Sequence, residues 1–220
     1  MITLYKVAIL LSHIPNPRIL KRIKTLEEHF EITVVYWDRK VQNAERFTIN
    51  PDHTIKKISI KAPQGRVYAR LVPLARFLRK AAGVLKWEKP HIVHAANLDM
   101  LFAATIYKML FDRSLRIVYE VGDLPKYAFM NTIKSPSDLI SKLIQRVERY
   151  LIGGVSNIIL TSPFFWDVYY SSFVDENKYF FAPNAPSQEL FSKYSKQEHV
   201  IFTIGFIGSV RYVNQLKMLI

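Results

Sequence analysis

Apolar residues in this chain follow two rhythms. Lys6–Leu11, Ile32–Trp37, His53–Ile60, His91–Ala95, Arg116–Glu120, Ile158–Thr161 and Tyr179–Ala182 are short runs rich in β-branched and aromatic residues. Most lack polar alternation, which predicts strands buried on both faces. The stretches between several of them repeat at helical spacing. Ile19, Leu20, Ile23, Leu26 and Phe30 follow Asn16 and Pro17, a helix cap and a first-turn proline. Further helices are predicted over Tyr68–Lys86, broken by Pro90, and over Leu98–Phe111. Ser137 is expected to cap another, with Leu139, Ile140, Leu143, Ile144, Val147 and Leu151 on one face. A short helix starts at Pro163, and Gly122, Pro125 and Pro136 mark the loop after Glu120. Buried strands separated by helices imply an α/β fold: a Rossmann-like, doubly wound parallel sheet with right-handed crossovers.

Composition shifts near Pro183–Val200, where Pro183, Pro186, Ser187, Ser192 and Ser195 collect with Lys193 and Lys196. The expected organisation is a first domain over residues 1–184, a linker over 185–200 and the start of a second domain over 201–220. Ile201–Ile207 reads as a strand bracketed at its end by Gly205 and Gly208, and Asn214 onward as a helix with no stop signal. The expectation is a truncated second domain.

Half of the residues are hydrophobic and 22% charged, a balance that supports a packed core. The absence of cysteine excludes disulfides, thiolate nucleophiles and cysteine-ligated zinc. The formal charge of +13 favours anionic partners. Residues 66–89 hold seven basic residues and one acidic one, with an apolar stripe at helical spacing. Such a helix suits the surface of an anionic membrane, or it simply packs its apolar face on a sheet. The N-terminal apolar run contains Lys6 and lacks a small-residue cleavage site, so it reads as a strand and not as a signal peptide. No apolar stretch is long enough to cross a bilayer. The expected location is the cytoplasm, peripheral at the inner face of the plasma membrane.

In open parallel sheets the crevice beyond the carboxyl ends of the strands binds ligands. Four segments meet that condition. Ser12–Ile19 enters a helix through Asn16, and has no glycine of a dinucleotide loop. His94, Asn97 and Asp99 cluster after the fourth strand, where a structural histidine and two capping residues would look the same. Glu120 and Asp123 flank Gly122 after the fifth strand. Paired carboxylates there orient sugar hydroxyls or take a proton from one, or else cap a helix or pair with a base. Gly205, Gly208 and Arg211 form a turn of the kind that approaches phosphates.

In order, KVAILLSHIPNPRI, ITVVYWDR, HIVHAANLDMLFAA, RIVYEVGDL, RVERYLIGG, IILTSPFF, YFFAPNAP and IGFIGSVRYVNQLKMLI resemble the family 4 glycosyltransferases of bacterial surface polysaccharide synthesis. The resemblance implies the N-terminal half of a GT-B fold and a hexosyl transfer from a nucleotide-sugar to a glycan or lipid-linked acceptor. It implies no metal and no further cofactor. Glu120 and Asp123 would be catalytic; His94, Asn97, Asp99 and Asn16 would bind acceptor; Gly205, Gly208 and Arg211 would begin the donor side. Family members often carry a histidine where Gly122 stands here. With the donor half missing, the chain alone is expected not to turn over, unless a separate donor-domain chain pairs with it. A non-catalytic acceptor-binding subunit is the alternative. A basic Rossmann-like nucleic-acid binder ranks last, for want of a nucleic-acid motif.

Overall fold

The computed structural model describes residues 5–40, 53–62, 69, 71–129 and 135–185. Within these, seven parallel strands form one sheet: β1 (Tyr5–Leu11), β2 (Phe30–Asp38), β3 (Thr54–Ser59), β4 (Ile92–Ala96), β5 (Arg116–Val121), β6 (Asn157–Leu160) and β7 (Tyr179–Phe181), in the order β3-β2-β1-β4-β5-β6-β7. The helices are α1 (Pro17–Leu26), α2 (Leu71–Glu88), α3 (Leu98–Leu110), α4 (Pro136–Gly153) and the short α5 (Pro163–Val168). Winding proceeds outward from β1 to β3, then outward the other way from β4 to β7. The order reverses between β1 and β4, whose carboxyl ends meet in register at Leu11 and Ala96.

Successive residues of β1 enter different cores, as the period of two requires. Ala8 and Leu10 pack with Phe77, Ala81 and Leu85 of α2 and with Met100, Leu101 and Ala104 of α3. Val7, Ile9 and Leu11 pack with Ile19 and Ile23 of α1. Helices therefore cover both faces, which is why the central strands are mostly apolar.

Several expectations shift. Phe30 does not continue α1 but opens β2, because the helix stops at Leu26. The cap of α4 is Ser135 with Pro136 in the first turn, not Ser137. The predicted apolar stripe of α4 is largely exposed: Leu139, Ile140, Leu143 and Val147 face solvent, while Glu148, Leu151 and Ile152 are buried. The basic helix packs its apolar side on the sheet through Phe77, Ala81 and Leu85 and exposes Arg76, Arg79, Lys80 and Lys86. Among the described residues no helix is long and apolar enough to cross a membrane. The chain separates into two compact units, Met1–Asn184 and Ala185–Ile220. The expected linker from Pro186 onward, the strand Ile201–Ile207 and Gly205, Gly208 and Arg211 lie outside the described residues.

Candidate functional site

The loops leaving β1 and β4 meet where the strand order reverses. Asn97 Nδ2 donates to Ser12 Oγ at 3.1 Å, joining them across the switch point. The Asn97 amide donates to the Glu120 carbonyl at 3.2 Å, and its own carbonyl accepts from Met100 and Leu101 at the start of α3. Three elements thus converge on one residue. It is held at φ 76° and ψ 163°, a region that residues other than glycine enter only at a cost of about 1–3 kcal/mol. Asn97→Gly is therefore expected to raise stability by about 1 kcal/mol, because relief of strain exceeds the one lost hydrogen bond. Urea denaturation checks this, and a loss of stability would mean that the bridge to Ser12 outweighs the strain.

On the α1 face of the sheet, His94 of β4 and Glu120 of β5 point toward α1. Arg18 and Arg22 stand four residues apart on that helix, each preceding one of the buried isoleucines, Ile19 and Ile23. The Glu120 carboxylate is wholly buried. It has Arg18 Nε at 3.1 Å, Arg22 Nε at 3.6 Å and His94 Nε2 at 2.8 Å. These contacts lie off the hydrogen-bond axes, so proximity of charge and not alignment holds the group together. Burial alone pushes the Glu120 carboxyl up, but His94, Arg22 and Arg18 outweigh it and hold the group below the usual carboxylate range. Glu120 is ionised at neutral pH and inaccessible to solvent.

The other expected site residues are dispersed around this cluster. Asn16 is engaged as the N-cap of α1, its side-chain oxygen accepting from the Ile19 amide at 3.1 Å. Asp99 lies in the first turn of α3 and accepts from Arg39 at 3.4 Å, while that guanidinium also stacks on Trp37. Asp123 is exposed just beyond β5. Sequence reasoning named the segment Ser12–Ile19 without singling out Ser12, His13 or Arg18, and it missed Arg22 and Arg39 as members of the site. The available signal was the four-residue repeat of arginine beside isoleucine on α1. The His13 ring is held below the usual histidine value by burial, reinforced by the charges of Arg18 and Arg39 and opposed by backbone hydrogen bonds.

The fold is that of one half of a GT-B protein. Over 84% of its length the chain superposes on sucrose-phosphate synthase from Thermosynechococcus elongatus, with TM-score 0.60, 11% identity and 49% of that chain covered. It superposes on LpCGTa, solved in complex with UDP, with TM-score 0.57, 11% identity and 83% and 53% of the two chains covered. It also superposes on UDP-GlcNAc 2-epimerase from Neisseria meningitidis bound to UDP-GlcNAc, with TM-score 0.53, 14% identity and 80% and 46% covered. No protein-family model and no curated protein matches the sequence. The chain spans about half the length of the solved structures it matches. The GT-B half is shared by transferases and epimerases, so chemistry rests on the residues of the site.

Proposed function

We propose that this domain is the acceptor-side wall of a glycosyltransferase of bacterial surface polysaccharide synthesis, moving a hexosyl group from a nucleotide-sugar to a glycan or lipid-linked hydroxyl. The observation that carries the reading is the joined carboxyl edge of β1, β4 and β5. Ser12, Asn97 and Asp99 place hydroxyl, amide and carboxylate groups around the switch point of a GT-B half. Such groups suit a polyhydroxylated ligand, since each offers a directed donor or acceptor to sugar oxygens.

Within this reading the two carboxylates after β5 have separate roles. Glu120 is sealed beneath α1 and acts as an anchor that holds Arg18, Arg22 and His94. Asp123 is exposed and makes no ion pair among the described residues, which leaves it free to accept a proton from the acceptor hydroxyl. A nucleotide-sugar would be held by a second domain, with Gly205, Gly208 and Arg211 as its first contacts. The exposed basic face of α2, with Trp87 at its end, is suited to an anionic membrane surface where lipid-linked acceptors reside.

The test is transfer of radiolabelled sugar from a panel of nucleotide-sugars by the full gene product. Asp123→Asn is expected to lower the transfer rate about a hundredfold while nucleotide-sugar affinity stays unchanged. Wild-type rates in that variant would remove Asp123 from the chemistry. Release of an epimerised nucleotide-sugar without glycoside would replace the transferase reading with an epimerase.

A further inference from the structure

The Arg18 guanidinium has more donors than the described residues use. Its Nε lies 3.1 Å from the Glu120 carboxylate, an ion-pair contact off the hydrogen-bond axis. Its two terminal nitrogens make no hydrogen bond to a described residue. They lie flat against Gly122, where a β-carbon would come within 2.5 Å of Nη2 and 2.6 Å of Nη1. Glycine therefore keeps open the place that these nitrogens occupy. The neighbouring guanidiniums are engaged: Arg22 Nη2 donates to the Ala182 carbonyl at 2.9 Å, and Arg39 bonds Asp99.

The charge at this point does not balance. Arg18 and Arg22 bring two positive charges against the single carboxylate of Glu120. The Arg18 side chain is only 13% exposed, so water screens the excess poorly. A desolvated guanidinium with a paired set of free N–H groups matches two oxygens of a phosphate in parallel, which an ammonium cannot do. Asp123 follows Gly122 directly, so an anion on Arg18 would sit beside the proposed proton acceptor.

We propose that Arg18, seated on Gly122 and anchored by Glu120, is a phosphate-binding residue of the crevice. The inference deepens the acceptor-side reading, because a phosphate held there would orient the molecule whose hydroxyl meets Asp123. The phosphate could belong to the sugar acceptor or to the diphosphate of a nucleotide.

Calorimetric titration of the 220-residue chain at low salt tests this with inorganic phosphate, a hexose 1-phosphate and UDP as probes. Saturable phosphate binding is expected, weakened about tenfold or more by Arg18→Gln, in line with the loss of a charge-assisted pair of hydrogen bonds. Arg18→Lys retains the charge and loses the fork, and is expected to fall between. Gly122→Ala introduces a methyl group that a flexible side-chain end can yield to, so the fold should survive while the guanidinium is displaced and phosphate binding is lost. Lys24→Gln removes a charge from the exposed side of the same helix and is expected to bind as the wild type does. Tighter binding of hexose 1-phosphate than of UDP assigns the site to the acceptor, and the reverse assigns it to the nucleotide. Absence of saturable binding, or equal affinity in Arg18→Gln and Lys24→Gln, overturns the proposal. The titration involves no transfer, so it can fail while Asp123→Asn still slows transfer, and the two readings are separable. If Arg18→Gln does not fold by thermal melting, Gly122→Ala and Arg18→Lys decide.

Discussion

Glu120→Ala is expected to destabilise the domain by about 3–4 kcal/mol at pH 7, since it leaves two guanidiniums facing one another in a buried site without their common anion. The value lies in the lower part of the range for a buried pair because the Arg22 side chain is 24% exposed and water compensates part of its charge. Glu120→Gln keeps the shape and removes the charge, and is expected to cost roughly 2 kcal/mol. The acid limb of the stability profile gives an independent reading. The folded carboxyl titrates below its ordinary value. Its contribution is therefore fully present above that value and is lost as pH falls through the folded one. Urea denaturation from pH 7 down to pH 3 should show a wild-type decline that Glu120→Gln lacks over the lower part of the range. A parallel decline in both proteins would place the linkage on other carboxylates. Loss of Glu120 is also expected to release Arg18 from Gly122, so the same variant should bind phosphate less well.

The sheet was legible in the sequence because its strands are buried on both faces. Nothing charged interrupts Val7–Leu11 or Ile32–Trp37, and each strand predicted within the described residues is present within one or two residues. Site positions were legible to the same extent: a doubly wound sheet places the ends of β1, β4 and β5 together whatever residues they carry. The division of labour between those residues was not. Whether Glu120 faces α1 or the crevice depends on strand register, and register follows from long-range pairing, here Ala96 against Glu120. The partners that bury its charge come from a helix about one hundred residues earlier in the chain, through a contact that no local spacing announces. Asn16 illustrates the converse. Its capping role is a local interaction, and the local pattern of Asn followed by Pro was sufficient to reveal it. The face of α4 was misleading for a related reason. Helical periodicity identifies an apolar stripe but not what lies opposite, and one of the residues this helix turns inward is a glutamate.

That glutamate carries the other large expectation. Glu148 is buried and accepts three tyrosine hydroxyls: Tyr119 at 3.0 Å and Tyr170 at 3.1 Å on Oε1, and Tyr169 at 3.1 Å on Oε2. These tie α4 to β5 and to the segment after α5. Glu148→Leu is expected to cost about 3–5 kcal/mol, because it strands three hydroxyls where water cannot reach them, at about 1–3 kcal/mol each less partial relaxation. The pH dependence has the opposite sign to that of Glu120. Burial holds the Glu148 carboxyl above its usual value, only partly offset by the tyrosine hydrogen bonds. Its favourable contribution is present in full below the ordinary carboxylate value and is lost as pH rises through the folded one. Glu148→Gln removes that loss while retaining hydrogen-bonding atoms, so it should equal the wild type or exceed it at pH 7.5 and fall behind it in mild acid. Urea denaturation of wild type, Glu148→Gln and Glu148→Leu across pH 4.5–7.5 checks both statements. If Glu148→Leu is as stable as the wild type, the hydroxyls find other acceptors and the cluster does not hold α4 in place. The two buried glutamates thus oppose one another during acidification. One gains because burial favours its neutral carboxyl, and the other loses the charge that its arginines require.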